Sequence, residues 1–430
     1  MNEYDSNRIF DIAKTIGYEK TETISDTDCY VLNTCHIREK ATEKVYHDVG
    51  RLKKEFRKKK KPILIITGCV AQAEGEEMLK REKYIDGVIG PQSYHRIPEV
   101  IKKIEMNKGR INKTDFDVID KFDKINLIKN TNSKISSFLT IQEGCDKFCH
   151  FCVVPYTRGP EHSRSFKEII TEAKQLIDNG VKEITLLGQN VNAYNSEKYK
   201  LADLIYELEN LNGLERIRYT TSHPKDMTPE LYQAHKISQK LMPILHLPVQ
   251  SGSSKILKLM NRKHDVQEYL EIIDKLKNIK SEIKFSSDFI IGYPGETRED
   301  FEATISLMKK VGFINSYSFL YSARPGTTAY NLNSIDKEIT KKRLLEFQNI
   351  SNEIKINYRK TLVGTFQNVL FENKLKDQDK YFGRDRYLNS VIVSSNNDLT
   401  GKSLDIEIKD FNHSTLFGSI AIDKLKNAAA

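Results

Sequence analysis

Apolar positions along the chain switch between two periods. Ile9, Phe10, Ala13 and Ile16 recur at helical spacing, which predicts a helix near the start. Cys29–Cys35 and Ile63–Cys69 are short, nearly unbroken apolar runs and read as buried strands, with a further short strand at Gly87–Ile89. A Lys/Arg-rich segment, Arg51–Lys61, lies between the first two. This is βαβ patterning, so residues 1–104 are expected to build a small parallel sheet. Residues 105–130 are polar and show no clear period. They read as a linker in which Phe116, Val118 and Ile119 are the apolar positions able to pack. Residues 131–361 repeat strand then helix. The strands are expected at Ser137–Gln142, Glu183–Leu187, Arg216–Thr220, Ile244–Leu247, Lys284–Ile291 and Ser316–Tyr321. One intervening helix starts near Ser165 and stops at Asn179-Gly180, a standard C-terminal signal. Such units predict an open (β/α)6-type barrel with ligand sites at the carboxyl ends of its strands. Residues 362–426 change to short strands separated by turns, at Val369–Glu372, Ser390–Val393, Leu404–Ile408 and Leu416–Ile422, which predicts a small all-β barrel. The fold class is therefore α/β with a C-terminal β module.

Composition adds little to this picture but excludes several classes. With 430 residues, 39% hydrophobic and 30% charged, the chain is globular and long enough for several cores. No apolar run approaches the ~18 residues of a membrane span, and the polar start is no signal peptide, so a cytoplasmic location is expected. The net charge of +9 favours a polyanionic partner. Six cysteines are too few for a disulfide framework in a chain of this length. Clustered cysteines then read as ligands.

Three of them cluster. Cys145, Cys149 and Cys152 stand at C-x3-C-x2-C spacing in a loop just after a predicted strand. A 4Fe-4S cluster is normally held by four cysteines. Three soft thiolates without a fourth leave one iron open to a substrate or cofactor, as an open coordination position does in catalytic zinc sites. The competing reading is a Cys3His zinc site that uses His150. Against it, His150 directly follows Cys149, and adjacent residues rarely converge on one tetrahedral ion. Cys35 and Cys69 form a second set. Each ends a predicted parallel strand, so both could serve one ligand site or could be inert core residues. Cys29 lies six residues before Cys35 on one strand, about 20 Å away at ~3.3 Å per residue, and is expected to be core.

The segment Gln142–Gly159 (QEGCDKFCHFCVVPYTRG) resembles the methylthiotransferases of the radical S-adenosylmethionine (radical SAM) superfamily. Matching segments run from Met1–Ser6 through Asn33–Glu39, Thr67–Gln72, Ser222–Met227, Leu245–Gly252 and Ser286–Thr297 to Gly383–Ser390, so the resemblance spans essentially the whole chain. It implies an N-terminal methylthiotransferase domain, a radical SAM core and a C-terminal RNA-binding TRAM barrel. It implies two 4Fe-4S clusters and S-adenosylmethionine. One cluster, on Cys145, Cys149 and Cys152, binds and cleaves S-adenosylmethionine to a 5′-deoxyadenosyl radical. The other carries sulfur on three cysteines, two of which match Cys35 and Cys69. The expected reaction replaces the C2 hydrogen of N6-dimethylallyladenosine, at tRNA position 37 next to the anticodon, with a methylthio group. The resemblance implies that two S-adenosylmethionine molecules are consumed per turnover. The alternatives are a methylthiotransferase for threonylcarbamoyladenosine in tRNA or for a ribosomal-protein aspartate, and a zinc RNA-binding protein. The expected partner is the tRNA anticodon arm, with reductant and sulfur donor unidentified, no membrane, and a monomeric protein.

One departure stands out. The third auxiliary cysteine of the family belongs to a Gly-Cys-Gln segment just before the residues that match Met1–Ser6. The chain also opens directly on a predicted helix, where βαβ logic wants a strand first. Both signs lead to the expectation that the start is misassigned and that the auxiliary cluster assembles poorly in the chain as written. Further candidates follow from strand ends. Gln189 and Asn190 follow Glu183–Leu187, and Gln250 and Ser251 follow Ile244–Leu247. These four are expected to contact S-adenosylmethionine, with ordinary loop capping as the alternative. Asp288 and Gly292 lie on the strand read at Phe285–Gly292, where a buried Asp is either beside the cofactor or structural. Arg51–Lys61 could touch RNA phosphates or form a solvated helix end, and Arg384, Arg386 and Tyr387 offer charge plus a stacking ring for RNA.

Overall fold

The computed structural model describes residues 1–35, 41–116, 118–132, 134–376 and 378–421. The N-terminal unit holds helix α1 (Asn2–Lys14), strand β1 (Cys29–Thr34), α2 (Ala41–Glu55), β2 (Ile63–Gly68), α3 (Cys69–Arg81), β3 (Gly87–Ile89), α4 (Ile97–Glu105), β4 (Ile111–Lys113) and α5 (Val118–Asn126). The four strands pair in parallel in the order β1-β2-β3-β4. The β2 strand is central and its apolar run is buried on both faces, as covered parallel sheets require.

Two readings need correction. Residues 105–130 are not a structureless connection: they add β4 to the sheet and then form α5. The polar pattern hid this because α5 buries Val118, Phe122 and Ile125 together with Lys121, which carries no apolar signature. Phe116 and Ile119 stay exposed. The predicted apolar stripe of α1 is also displaced. Of Ile9, Phe10, Ala13 and Ile16 only Ile9 is buried, and the helix ends before Ile16. The buried face instead carries Tyr4, Asp5, Arg8, Asp11 and Ile12, because α1 is wedged between the N-terminal sheet and the next domain and meets polar partners on both sides.

The central unit contains β5 (Ser136–Thr140), α6 (Val154–Arg158), α7 (Phe166–Asp178), β6 (Glu183–Leu187), α8 (Leu201–Glu209), β7 (Arg216–Thr220), α9 (Pro229–Ile237) and β8 (Ile244–His246). It continues with α10 (Ser254–Leu259), α11 (Val266–Ile279), β9 (Lys284–Ile291), α12 (Arg298–Val311), β10 (Asn315–Leu320) and α13 (Lys337–Lys360). Strands β5-β6-β7 and β8-β9-β10 form two parallel three-stranded sheets, joined by a bridge from Ile217 to Leu241. The result is the expected open barrel of six parallel strands. One core cluster lies between the strands and the helices outside them, including Ile184, Leu186, Ile217, Leu245, Phe285, Phe289 and Ile291. The C-terminal strands β11 (Phe366–Lys374), β12 (Lys380–Asp385), β13 (Ser390–Ser394), β14 (Ser403–Phe411) and β15 (Thr415–Ile420) close a barrel in the order β11-β12-β13-β15-β14. The β12 strand escapes sequence patterning because two of its three inward positions are Gly383 and Asp385. A Cβ at Gly383 would come within 2.5 Å of the Leu370 carbonyl. Among the described residues no helix is long and apolar enough to cross a membrane.

Candidate functional site

The cysteine loop rises from the carboxyl end of β5. Gly144 opens it at φ +75, and a Cβ there would lie 1.9 Å from the Pro160 carbonyl, so only glycine fits the turn. The loop is fastened at its root. Gln142 accepts from the backbone N–H groups of Gln189 (2.9 Å) and Asn190 (3.2 Å) and donates to the Gly144 carbonyl (2.8 Å). Gln189 in turn accepts from the Gly144 N–H at 2.6 Å. Further along, His150 donates its backbone N–H to the Met260 carbonyl at 3.0 Å, and its ring Nδ1 lies 2.9 Å from the Leu259 carbonyl.

Cys149 is buried, and Cys145 and Cys152 are half-buried. Burial pushes the Cys145 thiol up to about 11, and burial with the neighbouring Cys149 pushes Cys152 to about 12. The three thiols are close enough to feel one another. Among the described residues, however, no three His, Cys, Asp or Glu side chains are already converged on one point. Burial thus disfavours the thiolates of Cys145 and Cys152, and a metal bound there would displace their protons.

From Cys149 a chain of polar groups leads across the barrel mouth. Buried Arg262 donates through Nη1 to Cys149 Sγ at 3.5 Å and through Nη2 to the Pro248 carbonyl at 2.7 Å. Two buried imidazoles follow, His264 and His223, with centroids 5.5 Å apart. Burial, with Arg262 close by, holds His264 down to about 4 and lowers His223 further, so both rings are neutral. Asn190 donates to Asp226 at 2.7 Å, and Asp226 accepts from Lys147 at 2.8 Å. Buried atoms without protein partners gather here: Asn190 Oδ1, Ser222 Oγ, His223 Nε2, Arg262 Nε and His264 Nε2. Buried polar atoms left open in one region mark a site built for a polar ligand.

The remaining predicted residues divide by role. Gln189 is engaged in fastening the loop, whereas Asn190 keeps an open oxygen. Gln250 sits at φ +80 and stitches β8 to β9, its N–H on the Asp288 carbonyl and its carbonyl accepting from Ile290, both at 3.0 Å. Ser251 is buried and accepts from the Ser253 N–H at 3.2 Å in the turn before α10. Sequence reasoning missed Arg262, His264, His223 and Asp226 as a group, because they come from different loops and no spacing links them.

Cys35 and Cys69 follow β1 and β2, whose last residues pair in register as Thr34 and Gly68. Gly68, at φ +94, lets the chain turn there; a Cβ would lie 2.2 Å from the Thr34 carbonyl. The two cysteines therefore leave neighbouring strand ends, and Cys69 is near enough to raise the pKa of Arg158. Cys29 packs at the edge of the α1–α4 core, as expected, and burial pushes its thiol up to about 12. His36 to Lys40 lie outside the described residues.

The RNA candidates of the C-terminal barrel are largely spent inside the molecule. Arg386 makes a two-pronged pair with Glu282 (3.0 and 3.1 Å), and Tyr387 is buried with its hydroxyl on the Glu282 carbonyl at 3.2 Å. Arg384 pairs with Glu372 at 3.0 Å. In the N-terminal segment, Lys53 and Lys61 pair with Glu82 and Asp86.

Comparison with known proteins agrees with this architecture. A model of the radical SAM superfamily matches residues 139–308, and one described as Uncharacterized protein family UPF0004 matches residues 1–90. The chain is 59% identical to the tRNA-2-methylthio-N6-dimethylallyladenosine synthase of Pelagibacter ubique (strain HTCC1062), across 100% of this chain and 97% of that one. It is 48% identical to the protein of that name from Wolbachia pipientis subsp. Culex pipiens (strain wPip), across 98% and 97%. Among solved structures, the radical S-adenosylmethionine methyltransferase TsrM from Kitasatospora setae shares the fold at a TM-score of 0.57 and 12% identity, over 77% of this chain and 74% of that one. The fold and the matches define a radical SAM enzyme, of the methylthiotransferase class. Within it, the chain belongs to the tRNA-2-methylthio-N6-dimethylallyladenosine synthase family.

Superfamily membership implies a 4Fe-4S cluster and S-adenosylmethionine. The residues present fit both: three thiols in one fastened loop, and beside them open polar atoms able to hold an amino acid and a nucleoside. A second cluster fits less well. Cys35 and Cys69 offer two thiols, and among the described residues no third ligand is grouped with them.

Proposed function

We propose that this chain methylthiolates C2 of N6-dimethylallyladenosine at position 37 of tRNA, next to the anticodon, using two S-adenosylmethionine per turnover. The observation that carries this reading is the 59% identity to a synthase of that name across the whole chain, cysteine loop included. Cys145, Cys149 and Cys152 would hold the cluster. When bound, the cluster and S-adenosylmethionine supply a 5′-deoxyadenosyl radical, which an unactivated aromatic C–H requires because it has no useful acidity.

The protein's own groups bind, orient and exclude water. Gln142 and Gln189 hold the loop root rigid. Asn190, oriented by Asp226 and Lys147, offers its open oxygen to the cofactor. Gln250 and Ser251 shape the facing turn. Neutral His223 and His264 add acceptors or donors without adding charge. Cys35 and Cys69 would contribute two ligands to an auxiliary cluster that carries the sulfur. The net charge of +9 suits the tRNA anticodon arm. The protein is taken to act as a cytoplasmic monomer, its 1–104, 131–361 and 362–426 segments serving as methylthiotransferase, radical SAM and TRAM domains around the 105–130 connection. Mass spectrometry of tRNA nucleosides from a deletion strain tests the reading. It expects loss of the 2-methylthio derivative with build-up of N6-dimethylallyladenosine, restored by this gene. Loss of methylthio-threonylcarbamoyladenosine instead, or unchanged tRNA, would contradict it.

A further inference from the structure

Strands β8, β9 and β10 present a second group of side chains on the barrel's inner face. The outward side of β9 is taken by Phe285, Phe289 and Ile291, which pack in the helix-covered core. Its inward side carries Ser286, Asp288 and Ile290. Register then fixes their neighbours: His246 is paired with Ser286, Tyr317 with Asp288, and Phe319 with Ile290. Paired residues of a parallel ladder share a face, so these six form one continuous patch.

The patch is polar at one end and apolar at the other, where Ile290 packs against Ile256, Met260 and Tyr293 and Phe319 is the exposed apolar side chain. His246 Nδ1 lies 2.9 Å from Ser286 Oγ, and its Nε2 faces the Asp288 carboxylate at 3.4 Å, on the long side for a hydrogen bond. The Tyr317 ring meets His246 edge-on, with centroids 6.0 Å apart. The Tyr317 side is 52% exposed and Phe319 41%, although both sit on barrel strands. A half-exposed ring, a carboxylate with spare acceptor capacity and a second exposed ring two residues along the strand form a recognition surface.

We infer that this patch binds the target base, with Tyr317 stacking on the purine, Asp288 accepting the exocyclic N6–H, and Phe319 lying against the N6-prenyl group. The inference rests on the function proposed above. The order of the groups matches the ligand, since an N6–H donor flanked by an apolar branch needs an acceptor flanked by an apolar surface. A carboxylate accepts but cannot donate, so a base with a 6-keto oxygen would set two acceptors face to face and be rejected. His246, held by Ser286, acts as a positioning residue for Asp288.

The test is fluorescence anisotropy with the full-length, cluster-loaded protein and labelled anticodon stem-loops that carry N6-dimethylallyladenosine, adenosine or inosine at one position. Tyr317→Ala is expected to weaken binding of all three roughly ten-fold, the effect of losing one stacked base, with Tyr317→Phe restoring it. Asp288→Ala is expected to erase the preference for adenosine over inosine, and Phe319→Ala the preference for the prenylated loop over the plain one. The inference is overturned if variants with wild-type iron content keep both preferences and bind within two-fold of wild type. Should an alanine variant lose its iron, Asp288→Asn and Phe319→Leu decide by the same preferences. If the wild type itself neither prefers nor methylthiolates the prenylated loop, the proposed function fails, whatever the variants do.

Discussion

Arg262 donates to the sulfur of Cys149 across 3.5 Å from a buried position, which ties the cysteine loop to the far side of the barrel mouth. A cationic donor on a ligand sulfur withdraws electron density and favours the more reduced state of a bound iron–sulfur cluster. Arg262→Leu is therefore expected to lower the cluster's midpoint potential, and Arg262→Lys to lower it less. Redox titration followed by electron paramagnetic resonance measures both. Equal potentials in all three proteins would show that the contact does not tune the cluster.

The wedge of α1 rests on a buried ion network. Arg158 pairs with Asp5 at 2.9 Å and lies 3.5 Å from Glu143, while Lys121 pairs with Glu143 at 2.5 Å; all four side chains are at most 3% exposed. Burial alone would push the Asp5 carboxyl up, but Arg158 and Lys121 outweigh it and hold the group below its ordinary value. Asp5→Ala leaves two cations facing one carboxylate. A cost of about 3–5 kcal/mol in denaturant unfolding is expected, as for other broken buried pairs. The network spans Glu143 and Arg158 on either side of the cysteine loop, so iron retention should fall as well.

Docking of the C-terminal barrel separates strong from weak contacts. Arg218 is buried, donates to the carbonyls of Arg386 (2.9 Å) and Asp385 (3.0 Å), and pairs with Glu183 at 3.0 Å. The Arg386–Glu282 pair is about one-third exposed. Arg218→Ala should cost about 3–5 kcal/mol and open the chain to limited proteolysis near residue 361. Arg386→Ala should cost about 1 kcal/mol or less and leave the cleavage pattern unchanged.

His235 makes stability depend on pH. It is buried against Tyr219, with Nε2 2.6 Å from the phenol oxygen, and burial with nearby Lys280 lowers its pKa to about 3. The unfolded chain takes up this proton near pH 6.5 while the native state does not, so stability falls as pH drops below that value. The loss from this one group between pH 7.5 and pH 5.5 is about 1.4 kcal/mol. His235→Gln should flatten the measured dependence by that amount.

Much of this architecture was legible because its strands are short runs rich in apolar and β-branched residues that alternate with helical segments. Glu183–Leu187, Arg216–Thr220 and Lys284–Ile291 fall where the pattern places them. The cysteine loop was legible because three ligands share one short segment. What escaped is polar and non-local. The α5 helix and the inner face of α1 bury Lys121, Arg8 and Asp5 against partners more than a hundred residues away or in another layer, and hydrophobic periodicity is blind to such faces. The same holds for Arg262, whose link to Cys149 joins positions 113 residues apart. Tyr387 misled for the opposite reason: an aromatic beside two arginines suggests RNA, yet its ring packs into the docking seam.

Iron and acid-labile sulfide per chain, measured on anaerobically reconstituted wild type and Cys145→Ala, test the central claim most directly. The variant is expected to lose one cluster's complement, about four irons and four sulfides, and with it the release of 5′-deoxyadenosine from S-adenosylmethionine. Unchanged iron in the variant, or zinc in place of iron in the wild type, would contradict the assignment of Cys145, Cys149 and Cys152.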